Sequence, residues 1–217
     1  AVQALLRVET AGSYSNIVLD QQLQSSGLSA RDRAFASALF YGVLEKKITL
    51  DYVISQYARL PLEKMDPLVR QLLRLALYQI ACMDSVPESA AVNESVSLAK
   101  EMGKGRAAGF INGVLRSFLR AGGKICLPEP DRDQAEWLSL AYSVPRPLIQ
   151  LWQTQYPQED LEQLLQGITG HAPLFARVNT RRVNARDLCI QLRDEGVEAQ
   201  IYSDFPNCVI LRHTGAL

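Results

Sequence analysis

The sequence is poor in the residues that most chemistry needs. Its 217 residues hold two histidines, two tryptophans and four cysteines. Cys82, Cys126, Cys189 and Cys208 lie 44, 63 and 19 positions apart, so there is no CxxC metal pair and no disulfide framework. Thiols this scattered, with no signal segment, predict a cytoplasmic protein. No apolar run approaches the length needed to span a bilayer, so no membrane partner is expected. No charge sign dominates either: 23 Lys and Arg stand against 23 Asp and Glu. That balance excludes a globally basic, histone-like binder, although a local basic patch stays open because a ligand meets only the local field. Hydrophobic residues make up 47% of the chain, enough for a core, which excludes a wholly disordered chain.

What is present is mostly helical periodicity. Residues 1–122 read as helices. In 30–47, Phe35, Leu39, Gly42 and Val43 share one face, and Ser29 with Asp32 forms a weak capping signal. Thr49 reads as the cap of a short run from Leu50 to Tyr57. Asp66-Pro67 is a strong start signal, with aspartate as N-cap and proline at the first helical position. The following stretch, Pro67–Ala81, is apolar over most of its girth and is expected near the centre of the bundle. Val86-Pro87 opens another helix. A last one carries Phe110, Ile111, Val114, Leu115, Phe118 and Leu119 and stops at Gly122-Gly123. The prolines and acids of 123–133 read as a linker. Beyond it come short helices over 134–142 and 147–156 and a strand over 174–180. A helix capped by Asn184 and stopped at Gly196 follows, then strands over 197–202 and 207–212. The expected organisation is therefore 1–122 helical, 123–133 linker and 134–217 a small, incomplete α+β region; the fold class is mainly α.

Catalytic candidates are few. His171 sits in a glycine- and proline-rich turn and His213 near the end, and both read as solvated loop residues. Glu159, Asp160 and Glu162 fall in a first helical turn, where acids favour the positive end of the macrodipole. Gly103 to Gly109 has the spacing G-x-G-x-x-x-G after a helix, not G-x-G-x-x-G after a strand, so a dinucleotide loop is excluded. No catalytic, cofactor-binding or metal-binding residue is expected.

The basic residues carry more. Lys100, Lys104, Arg106, Arg116, Arg120 and Lys124 face one acid, Glu101, over the same stretch, a local surplus of five in a neutral chain. Backbone amides at a helix start near Arg106 would add to an anion site. Arg177, Arg181 and Arg182, with Arg186, form a second cluster with no acid between 176 and 186. Arginine forks suit phosphate. The alternative for either cluster is a solvated helix face. No aromatic stacking motif for bases is visible.

Three phrases, ARDRAFASALFYGVLEKK, VPESAAVNESVSLAK and GFINGVLRSFLR, resemble the NusB-like helical domain in wording and order. Together with LFARVNTRRVNARDLCIQLRDEG at 174–196, they resemble the N-terminal part of bacterial 16S ribosomal RNA cytosine-5 methyltransferases of the Sun/Fmu (RsmB) type. The resemblance covers nearly the whole chain. It implies an RNA-binding helical domain, then an RVNT-containing α+β region, then a methyltransferase domain that uses S-adenosylmethionine. That last domain is absent from this chain. The family's nucleophilic cysteine follows a proline; here Ala81, Ile125, Leu188 and Asn207 precede the cysteines. The chain opens at Ala1 inside an apolar run and closes at Leu217 in a non-helical stretch, so both ends read as cut. The expected role is to bind small-subunit ribosomal RNA and place it for the parent's own methyltransferase domain, with no chemistry in this portion. The alternatives are a transcription-antitermination module and a plain RNA or protein interaction domain.

Overall fold

The computed structural model describes residues 1–130, 132–169 and 173–213, with the backbone alone of His213. His171 and the side chain of His213 therefore lie outside the described residues, as does Asp131 of the expected linker. Two compact units are present, Ala1–Gln166 and Gly167–Leu217.

The first unit is all helical: α1 (Val2–Ala11), α2 (Ser15–Gln24), α3 (Ala30–Glu45), α4 (Lys47–Tyr57), α5 (Pro67–Cys82), α6 (Glu88–Glu101), α7 (Ala108–Arg120), α8 (Gln134–Tyr142), α9 (Arg146–Gln153) and α10 (Gln158–Ile168). α5 is central, packing against α1, α3, α4, α6 and α7. Its start follows the sequence: Asp66 Oδ1 accepts from the Leu68 amide at 3.0 Å, and Pro67 takes the first turn, where no amide is needed. Leu72, Leu73 and Ala76 are fully buried. Ser29 caps α3, its Oγ accepting from the Asp32 amide at 3.2 Å.

Two local expectations fail. Phe35 is 42% exposed; the buried face of α3 begins only at Leu39 and runs through Phe40, Gly42 and Val43, because the first half of the helix lies outside the core. Thr49 caps nothing. It sits inside α4, 4% exposed, and its Oγ1 donates to the Leu140 carbonyl at 2.6 Å. The Ile48 amide donates to Ser143 Oγ at 3.0 Å. Those two bonds fasten α8 to α4.

They also explain why the compact units divide at 166/167 and not at 123–133. α8, α9 and α10 close a second small core of Leu138, Ile149, Leu161 and Leu165, and α8 is anchored on the first unit. Nor is the start of the expected linker loose, since Ile125 packs on the main core.

The second unit holds β1 (Leu174–Arg177), α11 (Ala185–Asp194), β2 (Glu198–Ile201) and β3 (Cys208–His213). β3 lies in the middle and pairs antiparallel with both neighbours, so β1 and β2 run parallel on either side of it, a split βαβ arrangement. Asn184 caps α11 by accepting from the Asp187 amide at 2.9 Å, and Gly196 leaves the helix with φ +83°. The fold is mainly α, with one small three-stranded sheet among the described residues.

Candidate nucleic-acid interface

α7 is sharply two-sided. Ile111, Val114, Leu115 and Phe118 are buried, while Arg116 and Arg120 stand on the exposed side at a spacing of four. Their only described side-chain partners are neutral: Arg116 Nε donates to Asn112 at 2.8 Å, and Arg120 donates to Ser117 at 3.0 Å. Among the described residues no acid is paired with either guanidinium. Gly109 and Gly113 are also exposed on this helix, and a Cβ at either would meet nothing within 4 Å. Packing inside the chain therefore does not demand these glycines.

Lys100 closes the last turn of α6, Arg106 lies in the 3-10 turn that leads into α7, and Lys124 follows its end. All three are exposed and have no ionic partner among the described residues. The cations form a stripe only in the sense that they follow the chain from the end of α6 along α7, which by itself separates Arg106 from Arg120 by about 20 Å.

Lys104 does not belong to it. Its Nζ pairs with Asp66 Oδ2 at 2.5 Å, on the carboxylate that also caps α5. That hydrogen bond is the chief reason the Asp66 carboxyl lies below its ordinary range. At the start of α7 the turn uses two of the amides the sequence pattern would leave free: that of Ala107 bonds the Lys104 carbonyl at 2.8 Å and that of Ala108 bonds the Gly105 carbonyl.

In the second unit, Arg177 and Arg181 line a depression of about 500 Å³ with Asn179, Thr180 and Asn207. Asn179 builds its rim. Its Oδ1 accepts from the Arg181 amide at 3.2 Å, and its carbonyl accepts from the Arg182 and Val183 amides at 2.9 and 3.1 Å. This asparagine holds the turn that places Arg181. Arg182 and Arg186 are exposed but do not line the depression.

Sequence reasoning missed the charge network inside the helical unit. Arg74, 3% exposed, donates to both oxygens of Asp51 at 2.6 and 2.7 Å and to Glu9 at 3.1 Å. Glu9 also takes Arg70 at 3.0 Å and Gln71 at 2.8 Å. Burial works against its charge, but these partners, Arg74 first, hold the Glu9 carboxyl below its ordinary range. This network ties α1 and α4 to α5 and is structural. Among the described residues no group of three or more His, Cys, Asp or Glu side chains could hold a metal ion, and no helix is long and apolar enough to cross a membrane.

Comparison with known proteins finds two family matches along the chain. Residues 1–120 match the NusB family, and residues 144–217 match a methyltransferase RsmF/B-like, ferredoxin-like domain. The probable ribosomal RNA small subunit methyltransferase B of Bacillus subtilis is 35% identical over 92% of this chain and 44% of its own length. The ribosomal RNA small subunit methyltransferase B of Escherichia coli is 31% identical over 97% of the chain and 47% of its own length. The chain thus spans about half the length of these relatives. The transcription antitermination protein NusB of Bacillus velezensis is 34% identical over 54% of the chain and 88% of its own length. Among solved structures, the crystal structure of PH0851 shares the fold at a TM-score of 0.67, with 17% identity, over 97% of this chain and 48% of that one. The match over the first 120 residues, more than half of the chain, settles the family: the chain belongs to the NusB family.

Proposed function

We propose that this chain is the RNA-binding, substrate-placing portion of a ribosomal RNA methyltransferase. In this reading the parent acts on cytosine C5 of small-subunit RNA in the cytoplasm, with S-adenosylmethionine as methyl donor and its own methyltransferase domain as partner. The observation that carries the reading is the exposed stripe of Lys100, Arg106, Arg116, Arg120 and Lys124, five cations with no acid paired to them among the described residues. Such a surface neutralises a phosphate backbone and carries no base readout of its own. The antitermination reading fits less well, because the chain continues into a ferredoxin-like match after the helical domain.

Salt dependence tests it. Five phosphate contacts at about −0.7 each make the contribution of this stripe to the slope of log K against log salt about −3.5 on single-stranded RNA. Arg116→Ala with Arg120→Ala is expected to flatten that slope by about 1.4. Lys104→Ala leaves the slope unchanged, since Asp66 already neutralises that ammonium. A binding constant indifferent to salt overturns the reading.

A further inference from the structure

The small sheet of the second unit has two unlike faces, and strand register sorts its side chains between them. Phe175 lies opposite Ile210 and Arg177 opposite Cys208, while the Tyr202 amide, just past β2, donates to the Cys208 carbonyl at 2.9 Å. Residues opposite one another share a face, and neighbours along a strand alternate. Val178 and Val209 belong to the alternate set and are buried. Phe175, Arg177 and Tyr202 therefore sit together on the other, open face.

The rings there form a connected array. Phe175 meets Tyr202 edge to face with centroids 5.3 Å apart, and Tyr202 stacks on Phe205 at 6.0 Å and 25°. Phe175 is nevertheless 47% exposed and Phe205 65% exposed. Arg177 shares the row of Tyr202 and also lines the depression with Arg181, Asn179 and Asn207. The acid of the adjoining turn, Asp204, accepts from the Ser203 hydroxyl at 3.0 Å. Exposed ring faces are stacking surfaces for unpaired bases, and a cation beside them meets the attached phosphate. Rings and a single arginine would also suit the centre of a protein–protein contact, but two neighbouring guanidiniums lining one depression match a phosphate.

We propose that this face binds unpaired RNA, with a base stacked on Phe205 and the Phe175–Tyr202 pair and its phosphate in the Arg177–Arg181 depression. The proposal rests on the RNA-binding reading above and deepens it by naming the form of RNA the second unit takes. The paired interior of a duplex offers the rings nothing, because its bases are already stacked on one another.

The test uses the full 217-residue chain and fluorescence anisotropy with two probes, an unstructured ten-nucleotide RNA and a blunt RNA duplex of the same length. Phe205→Ala is expected to weaken single-strand binding about fivefold or more. It should leave duplex binding unchanged, and the salt slope too, since no charge is lost. Phe205→Trp keeps a stacking face and should bind the single strand as the natural chain does. Arg177→Ala with Arg181→Ala should flatten the single-strand slope by about 1.4. Natural single-strand affinity in both Phe205→Ala and Phe175→Ala overturns the proposal. If salt-sensitive RNA binding persists in those variants, the basic stripe on α7 still stands; if the natural chain binds neither probe, both readings fall. Loss of self-association in the same variants, with RNA binding intact, would mark the face as a protein contact and likewise overturn the proposal.

Discussion

Replacing Arg74 by methionine removes the one guanidinium that lies wholly inside the helical unit. Methionine is of similar bulk and flexible, so the cavity cost is small and the charge is what is lost. Burial alone would drive the Arg74 pKa down; Asp51 and Glu9 override that and hold it above its ordinary value. After the substitution Asp51 loses both of its arginine bonds, while Glu9 keeps Arg70 and Gln71. Breaking one side of a buried ion pair costs about 3–5 kcal/mol. The Asp51 side chain is 24% exposed, so water recovers part of its solvation and the cost falls near the lower end, about 3 kcal/mol. That is roughly a 150-fold shift in the unfolding equilibrium. Urea denaturation followed by far-ultraviolet circular dichroism at pH 7 measures it. The double variant Arg74→Met with Asp51→Asn removes the orphaned charge and should recover about 1 kcal/mol. Arg74→Lys should not rescue, because a compact ammonium cannot donate to both Asp51 oxygens and Glu9 together. A loss below about 1 kcal/mol for Arg74→Met would show that the network is not holding α1 and α4 to α5.

Gly42→Ala is expected to lower Tm, because a methyl group at Gly42 would overlap the Tyr78 ring where α3 crosses α5. The overpacking cost of about 1–3 kcal/mol exceeds the roughly 1 kcal/mol that alanine adds in helix propensity, and a Tm equal to or above that of the natural chain would refute the close approach. Acid should destabilise the helical unit in a defined direction. Glu9 and Asp66 are held below their ordinary values when folded, so their contribution is full above the unfolded carboxylate range, about pH 4, and is lost as pH falls through the folded values. Arg74→Met should flatten that acid loss; an unchanged pH profile in the variant would mean that Arg74 does not set the Glu9 proton affinity.

The parts of the fold that were legible are those whose causes are local. Asp66-Pro67, Ser29 with Asp32, and Asn184 with Asp187 each place a cap and its amide within three residues, and each cap is present. The apolar repeat of α5 needs only the helical period to show which side is buried. Causes that lie far away in sequence were not legible. Thr49 has the composition of a cap, but its partner is the Leu140 carbonyl, 91 residues on, and that bond carries α8 into the first unit. Arg74 reads as one polar interruption of an apolar helix until α1 and α4 bring Glu9 and Asp51 to it.

The candidate site divides in the same way. A count of bases over 100–124 locates the stripe, because helical spacing sets Arg116 and Arg120 on one side without help from the rest of the chain. The count overstates the free charge by one, since Lys104 finds Asp66 across 38 residues. In the second unit, composition finds the arginines and passes over the rings. Phe175 and Tyr202 are 27 residues apart and belong to no stacking motif; they meet because β3 lies between β1 and β2, a fact of strand order and not of local pattern. Charge along one helix can therefore be read from sequence, whereas a surface assembled across a split βαβ unit needs the register of its strands. Here that register sets Arg177, which lines the cationic depression, in one row with Tyr202 of the ring array, a juxtaposition that no local pattern announces.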